Sequence, residues 1–261
     1  PVFADVTDDL LIDPVSVKQL IGDKTKAIMP VHLTGRPAPM KEIAAIANEH
    51  KLSVIEDAAQ AIGSEYHGQK VGSLGDIAVF SLHPLKNLHV YGDGGVITTK
   101  SGVLNSFMIK FRNHGLLDRD HTEFWGRNSR LDTLQAAIAR FKLNKIETIN
   151  GRFKSIAAKY NEELSHLVIT PSDKPHESSV YHNYVILSDR RDDLMSYLKN
   201  HGIDVKVRYP VPLTLQNVEP KKGVAQNAER LANRMLSLPI FPTMTDVEIN
   251  YVITKVRKFY A

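Results

Sequence analysis

The sequence predicts an α/β fold: a mostly parallel sheet flanked by helices, followed by a smaller α+β domain. Three observations carry this. Apolar β-type runs alternate with stretches of helical periodicity in the first part of the chain, the signature of β-α-β units. Two of those runs, Leu52–Ile55 and Asp76–Leu82, end beside chemistry-bearing residues, Glu56-Asp57 and Lys86. Beyond about residue 165 a polar, Pro-containing connector (Thr170 to Ser179) leads into shorter strands and helices.

In order, Pro1–Val6 reads as a strand, so the chain enters a fold midway. Asp13 is placed to cap a short helix with Pro14 at its first position and Val17, Leu20 and Ile21 on one face. Thr25–Leu33 reads as a buried strand ending near His32, followed by a turn with Gly35, Pro37 and Pro39. Met40, Ile43, Ala44 and Ala47 define a helix to about His50, and the strand Leu52–Ile55 completes a parallel unit. In such sheets ligands collect at the carboxyl ends of the strands, which is where His32, Asp57 and Lys86 fall.

Gly63–Gly75 reads as a hairpin or loop, Ile77–Leu82 and Gly94–Thr99 as strands, and Val103 to Arg112 as a helix. The Gly-rich turn Tyr91–Gly95 precedes a strand and opens no helix, which argues against a dinucleotide or P-loop site. Residues 115–130 are polar, aperiodic and aromatic-bearing, as binding loops are. Asn128-Ser129 is placed to cap a helix whose stripe is Leu131, Leu134, Ile138 and Phe141. A further helix carries Phe153, Ile156, Ala157, Tyr160 and Leu164. A boundary near 150–165 divides a large domain (1–155) from a small one (156–261). The small domain is expected to hold strands Tyr181–Leu187 and Val205–Tyr209. Its helices are expected at Asp192–Asn200, Val224–Leu236 and Asp246–Phe259, the last with a Thr245/Glu248 capping box.

The 261 residues can bury a sizeable core, and 24% charged residues suit an ordinary globular chain. A net charge of +4 without a dense Lys/Arg block favours small anions and does not argue for nucleic acid. There is no cysteine, hence no disulfide, thiolate zinc site or thiol nucleophile, which is compatible with a cytoplasmic setting. No run is long enough to span a bilayer and no signal-peptide pattern is present.

A lysine and a carboxylate, each at a strand end, are what pyridoxal phosphate needs: one forms an imine, the other holds the pyridinium proton. Lys86 and Asp57 fit these roles, Gln60 can bond the cofactor ring, and Ser81 can donate to a phosphate oxygen. Taken singly, each has a bland alternative: a solvated lysine, a helix cap, a surface amide, a satisfied strand hydroxyl.

Several motifs together go further. Val54–Gln60, Val71–Asp76, Phe80–Leu88, Tyr91–Gly95, Arg112–Gly115, Asn128–Asp132, Gln135-Ala-Ala and Tyr209–Leu213 closely resemble the DegT/StrS-type nucleotide-sugar aminotransferases, over essentially the whole chain. The resemblance implies part of a fold-type I aminotransferase large domain plus the small α+β domain. It also implies transfer of an amino group, usually from glutamate, to a keto group of a nucleotide-linked sugar. Lys86 is then the imine lysine, Asp57 the ring-nitrogen partner, Gln60 a ring contact and Ser81 a phosphate ligand. Asn128 reaches the cofactor phosphate of a neighbouring subunit in a homodimer, and His32 and Tyr91 line the pocket. His32 has a second reading, a satisfied strand-end histidine. A dehydratase branch carries His in place of the lysine, so Lys86 argues against it. Thr214 departs from the family's His at the end of Tyr-Pro-Val-Pro-Leu-His. Family members also carry a segment before the strand at Pro1 that supplies helix-terminus phosphate donors. The alternative expectation is therefore a truncated or regulatory relative without turnover.

Overall fold

The computed structural model describes residues 1–217 and 225–261. Helix α1 (Pro14–Leu20) starts as the sequence predicts, with the Asp13 carboxylate accepting from the Val15 amide and Pro14 in the first turn. Helix α2 (Met40–His50) buries Met40, Ile43, Ile46 and Ala47 and stops at Lys51, whose left-handed backbone returns its N–H to the last turn.

Strand β1 (Ala27–Ile28) pairs parallel with β2 (Ser53–Asp57), Ile28 lying opposite Val54. A short hairpin, β3 (Glu65–Tyr66) and β4 (Gln69–Lys70), fills the glycine-rich segment. Strand β5 (Ile77–Ser81) lies parallel to β2, with Asp57 opposite Val79. Strand β6 (Gly95–Thr99) is antiparallel to β5, since the intervening link carries no crossover helix. The resulting order is β1-β2-β5-β6, a mainly parallel sheet backed by α1 and α2.

Helices α3 (Gly102–Phe111), α4 (Thr133–Leu143) and α5 (Ile146–Leu164) follow. Strand β7 (Glu177–Ser178) returns to pair with β3. In the last third, β8 (Tyr184–Leu187) and α6 (Arg191–Asn200) precede α7 (Gln226–Ala232), β9 (Met235–Leu238) and α8 (Asp246–Tyr260). Strands β8 and β9 are antiparallel. The capping box at Thr245 and Glu248 forms, each side chain bonding the other's backbone amide.

Apolar side chains separate into clusters, with Val17, Ile43 and Val54 in one and Tyr160, Tyr184, Leu194, Leu236 and Ile253 in another. Helix α5 belongs to more than one. Its Ile146 packs with Leu82, Leu88 and Val90, and Ile156 to Leu164 pack in the C-terminal core. The 155/156 position therefore falls inside one unbroken helix.

Several expected elements differ. Pro1–Val6 is no strand; only Val6 bridges, to Ile12. The run Thr25–Leu33 is a ladder of two residues, broken by Pro30, which has no N–H to give. It resumes as a single bridge from Val31 to Asp57. Val205–Tyr209 makes one bridge, Lys206 to Ser237, before Pro210 and Pro212 end any pairing. The helix expected over Val224–Leu236 stops at Ala232, because Met235–Leu238 is buried throughout and pairs as β9; Val224 lies outside the described residues. Asp132, not Asn128-Ser129, stands at the N-cap position of α4 and makes no side-chain capping bond there; Asn128 bridges Asn113 instead. Its stripe is only half covered: Leu131 packs inward, while Leu134 and Phe141 are 73% and 62% exposed.

Candidate active site

Parallel strands β2 and β5 bring Asp57 and Ser81 to the same edge of the sheet, at their carboxyl ends. The chain then turns through His83-Pro84-Leu85, and the Lys86 amide closes that turn on the His83 carbonyl at 2.8 Å. Leu82, Leu88 and Val90 anchor both sides of the turn in an apolar cluster, so Lys86 stands on a fixed loop. Its amine is half-buried. Burial pushes the ammonium below the usual lysine range, the Asp57 charge opposes this, and the Arg208 charge adds to the lowering. An amine more easily freed of its proton is a better nucleophile.

The neighbouring groups have spare capacity of the right kind. Asp57 Oδ1 accepts from the Ala59 amide at 3.0 Å, and Oδ2 has no partner among the described residues. The Ser81 hydroxyl oxygen accepts from the His83 amide at 3.3 Å, leaving its hydrogen available to an anion. Gln60 is held at both ends. Its Oε1 accepts from the Thr34 amide at 2.7 Å, and its Nε2 donates to the Tyr209 hydroxyl at 2.7 Å. A primary amine, an acceptor carboxylate oxygen and a free hydroxyl donor are the donor set that pyridoxal phosphate requires, so these residues fit that group.

His32 does not line this pocket. It is fully buried, its Nδ1 accepts from the Ala38 amide at 2.9 Å, and its Nε2 donates to Glu56 at 3.0 Å. No ring nitrogen is left for a ligand, so of the two readings the satisfied histidine is the one that applies. Glu56 and Asp57 alternate across β2, and Glu56 points into the protein. It also accepts from the amides of Gly72, Leu74 and Gly75. Burial alone would raise the Glu56 carboxyl. The hydrogen bonds from His32 and from the backbone outweigh it and hold the group below the usual range.

Tyr91 is placed by α4. Gln135 grips its amide at 2.8 Å and its carbonyl at 2.7 Å, and the Lys142 ammonium covers the ring at 4.6 Å. Asn128 is exposed; it bridges Asn113 and accepts from Arg130 at 3.0 Å.

The structure adds residues that sequence reasoning did not single out. Arg208 and His182 both lie close enough to the Lys86 amine for the charges to influence one another. Tyr209 carries the hydroxyl that holds Gln60. Buried Asn87, next to Lys86, bonds Asn150, Val180 and His182. Asn87 and Tyr209 belong to quoted motifs, Phe80–Leu88 and Tyr209–Leu213. Arg208 and His182 are joined to Lys86 across long stretches of chain and leave no local pattern.

Residues 1–257 match the DegT/DnrJ/EryC1/StrS aminotransferase family. A pleiotropic regulatory protein of Geobacillus stearothermophilus is 42% identical over 100% of this chain and 72% of its own length. The dTDP-3-amino-3,4,6-trideoxy-alpha-D-glucose transaminase of Streptomyces venezuelae is 38% identical over 97% of this chain and 68% of its own length. Among solved structures, S. venezuelae DesV in complex with a ketimine intermediate superposes with a TM-score of 0.96 at 37% identity, covering 100% of this chain and 72% of that one. Bacillus subtilis NtdA with bound cofactor PMP superposes at 0.91 with 29% identity, covering 99% of this chain and 62% of that one. With an α/β sheet of the same architecture and a match along nearly its whole length, the chain belongs to the DegT/DnrJ/EryC1/StrS aminotransferase family.

Proposed function

We propose that this protein moves an amino group from an amino acid, glutamate by family resemblance, to a keto group of a nucleotide-linked sugar, using pyridoxal phosphate. The observation that carries this is Lys86: a half-buried amine with lowered proton affinity, on a fixed turn, facing the charge of Asp57. The cofactor, when bound, withdraws electrons from the carbon attached to its nitrogen. Lys86 would hold it covalently through Nζ and, once released, take a proton from the donor's α-carbon and later return one to the sugar carbon. Asp57 Oδ2 would keep the ring nitrogen protonated, Gln60 would contact the ring, and the Ser81 hydroxyl would donate to the phosphate. His32 takes no part; its place is structural.

A homodimer belongs to this reading, with Asn128 reaching the phosphate in the neighbouring subunit. Asn128 is exposed, and the apolar side chains of Phe107, Leu134 and Phe141 on α3 and α4 face outward, as a second copy would require. A cytoplasmic setting belongs to the same reading. No helix among the described residues is long and apolar enough to cross a membrane. The name of the G. stearothermophilus relative favours a second reading, a regulatory member without turnover.

Titration with pyridoxal phosphate, followed by absorbance, separates the two. Under the first reading a band appears near roughly 410–430 nm and is lost in Lys86→Ala. A folded protein that gives no band refutes it.

A further inference from the structure

Asn87 follows the imine-lysine candidate directly and is buried, only 6% exposed. Its amide is the middle of a hydrogen-bond chain whose proton order has one solution. The chain begins at the Ile62 carbonyl, which can only accept, and the Asn150 Nδ2 donates to it at 3.0 Å. The Asn150 Oδ1 therefore faces Asn87 and accepts from its Nδ2 at 2.9 Å. The same Nδ2 donates to the Val180 carbonyl at 3.2 Å. Both of its hydrogens are then used, and Oδ1 of Asn87 must face His182 Nδ1, 3.2 Å away. An oxygen there accepts only, so Nδ1 carries a hydrogen; in the neutral ring Nε2 is then the bare acceptor.

Close approaches hold the chain in place. Gly63 has a left-handed backbone (φ +89°), and a Cβ there would come within 2.6 Å of Asn150 Nδ2. Gly35 (φ +95°) lets the backbone amide of His182 and the carbonyl of Gln60 each come within 3.0 Å of where its Cβ would stand. His182 is therefore packed against the segment bearing Gln60 while it bonds the neighbour of Lys86.

We propose that His182 is a positioning residue for Lys86: its imidazole donates from Nδ1 to Asn87 and so fixes the turn carrying the amine. The proposal rests on the assignment of Lys86 as the reactive amine. The surroundings keep the ring neutral. Burial first, then the charges of Lys86 and Arg208, push the imidazolium down to about 3. The ring thus stays uncharged beside two cations, and the Nδ1 donor is present throughout the physiological range. A charged ring would add a third positive group next to the amine.

Two measurements on the protein without added cofactor test this. Nitrogen-15 NMR of the histidine rings is expected to show His182 protonated at Nδ1 and bare at Nε2, unchanged from pH 8 to roughly pH 5. The opposite tautomer, or titration within that window, would overturn the proposal. Competitive acylation of lysines, read residue by residue by mass spectrometry, gives the midpoint for Lys86. In His182→Phe the ring remains but the donor is gone. The turn loosens, water reaches the amine, and the midpoint shifts upward toward an ordinary lysine. His182→Asn, whose amide nitrogen occupies the place of Nδ1, is expected to restore it. A Lys86 midpoint that stays put in a folded His182→Phe also overturns the proposal; if that variant fails to fold, the tautomer and the Asn variant still decide. Because neither readout involves pyridoxal phosphate, their failure is distinct from a missing absorbance band in the cofactor titration.

Discussion

Glu56 Oε2 lies 3.0 Å from His32 Nε2, and both side chains are sealed from solvent. Glu56 also takes the amides of Gly72, Leu74 and Gly75, so one carboxylate closes the loop between β4 and β5 onto the back of β2. Asp57, the next residue, is thereby held at the sheet edge by a neighbour whose own side chain is buried.

Glu56→Gln is expected to destabilise the fold by about 2–4 kcal/mol, because it removes a charge-assisted acceptor and strands buried amides. Denaturant unfolding at neutral pH measures this. The pH dependence follows from the sign of the shift. The folded carboxyl lies below its ordinary value of 4.5, so its contribution is complete above 4.5 and is lost as pH falls through the folded value. Wild-type stability should fall more steeply than that of Glu56→Gln below pH 4.5. Parallel curves would contradict the assignment.

Gly35→Ala should cost roughly 1–3 kcal/mol from the left-handed backbone alone, and more from contact. Its new Cβ would stand 2.8 Å from Val180 Cγ2 and 3.0 Å from the Gln60 carbonyl. The same change displaces Gln60, so weakened cofactor affinity should accompany the lower unfolding midpoint.

Asp57→Asn keeps size and the Ala59 contact but loses the negative charge. Cofactor should still attach to Lys86, while single-turnover amino transfer slows by about 100-fold or more, the scale on which one preorganised charge acts. An unchanged rate would remove Asp57 from the ring-nitrogen role.

Thr245→Ala serves as the contrast. Loss of the capping box on α8 should lower stability by about 1 kcal/mol and leave the absorbance of the cofactor complex untouched, since the cap serves the helix alone.

Legibility in the sequence followed the range of the interactions. Helix α2 is bounded by Pro39 and closed at Lys51, and α8 carries its own capping box, so both could be read from neighbouring residues. Lys86 and Asp57 were legible for the same reason, as strand-end residues. Met235–Leu238 was not: its helical-looking spacing yields to pairing with Tyr184–Leu187, a choice made by tertiary burial. His32 sits at a strand end as the pattern predicts, and only its partner Glu56, across β2, shows that its nitrogens are spent. Asn87 and His182 are 95 residues apart, and no periodicity connects them.

Helix α5 has a consequence for how this protein comes apart. Ile146 serves one apolar cluster, and Ile156, Tyr160 and Leu164 serve another. One unbroken helix carries both sets, so heating should give a single transition in place of two. A protease cut at 155/156 would sever α5 yet leave both of these clusters whole; the apolar group it would divide is the one in which Val6 and Leu10 pack with Leu187, Leu231 and Met235. The turn that carries Lys86 leans on the same helix through Ile146 and Asn150, so its order should vanish at the same temperature as the C-terminal core.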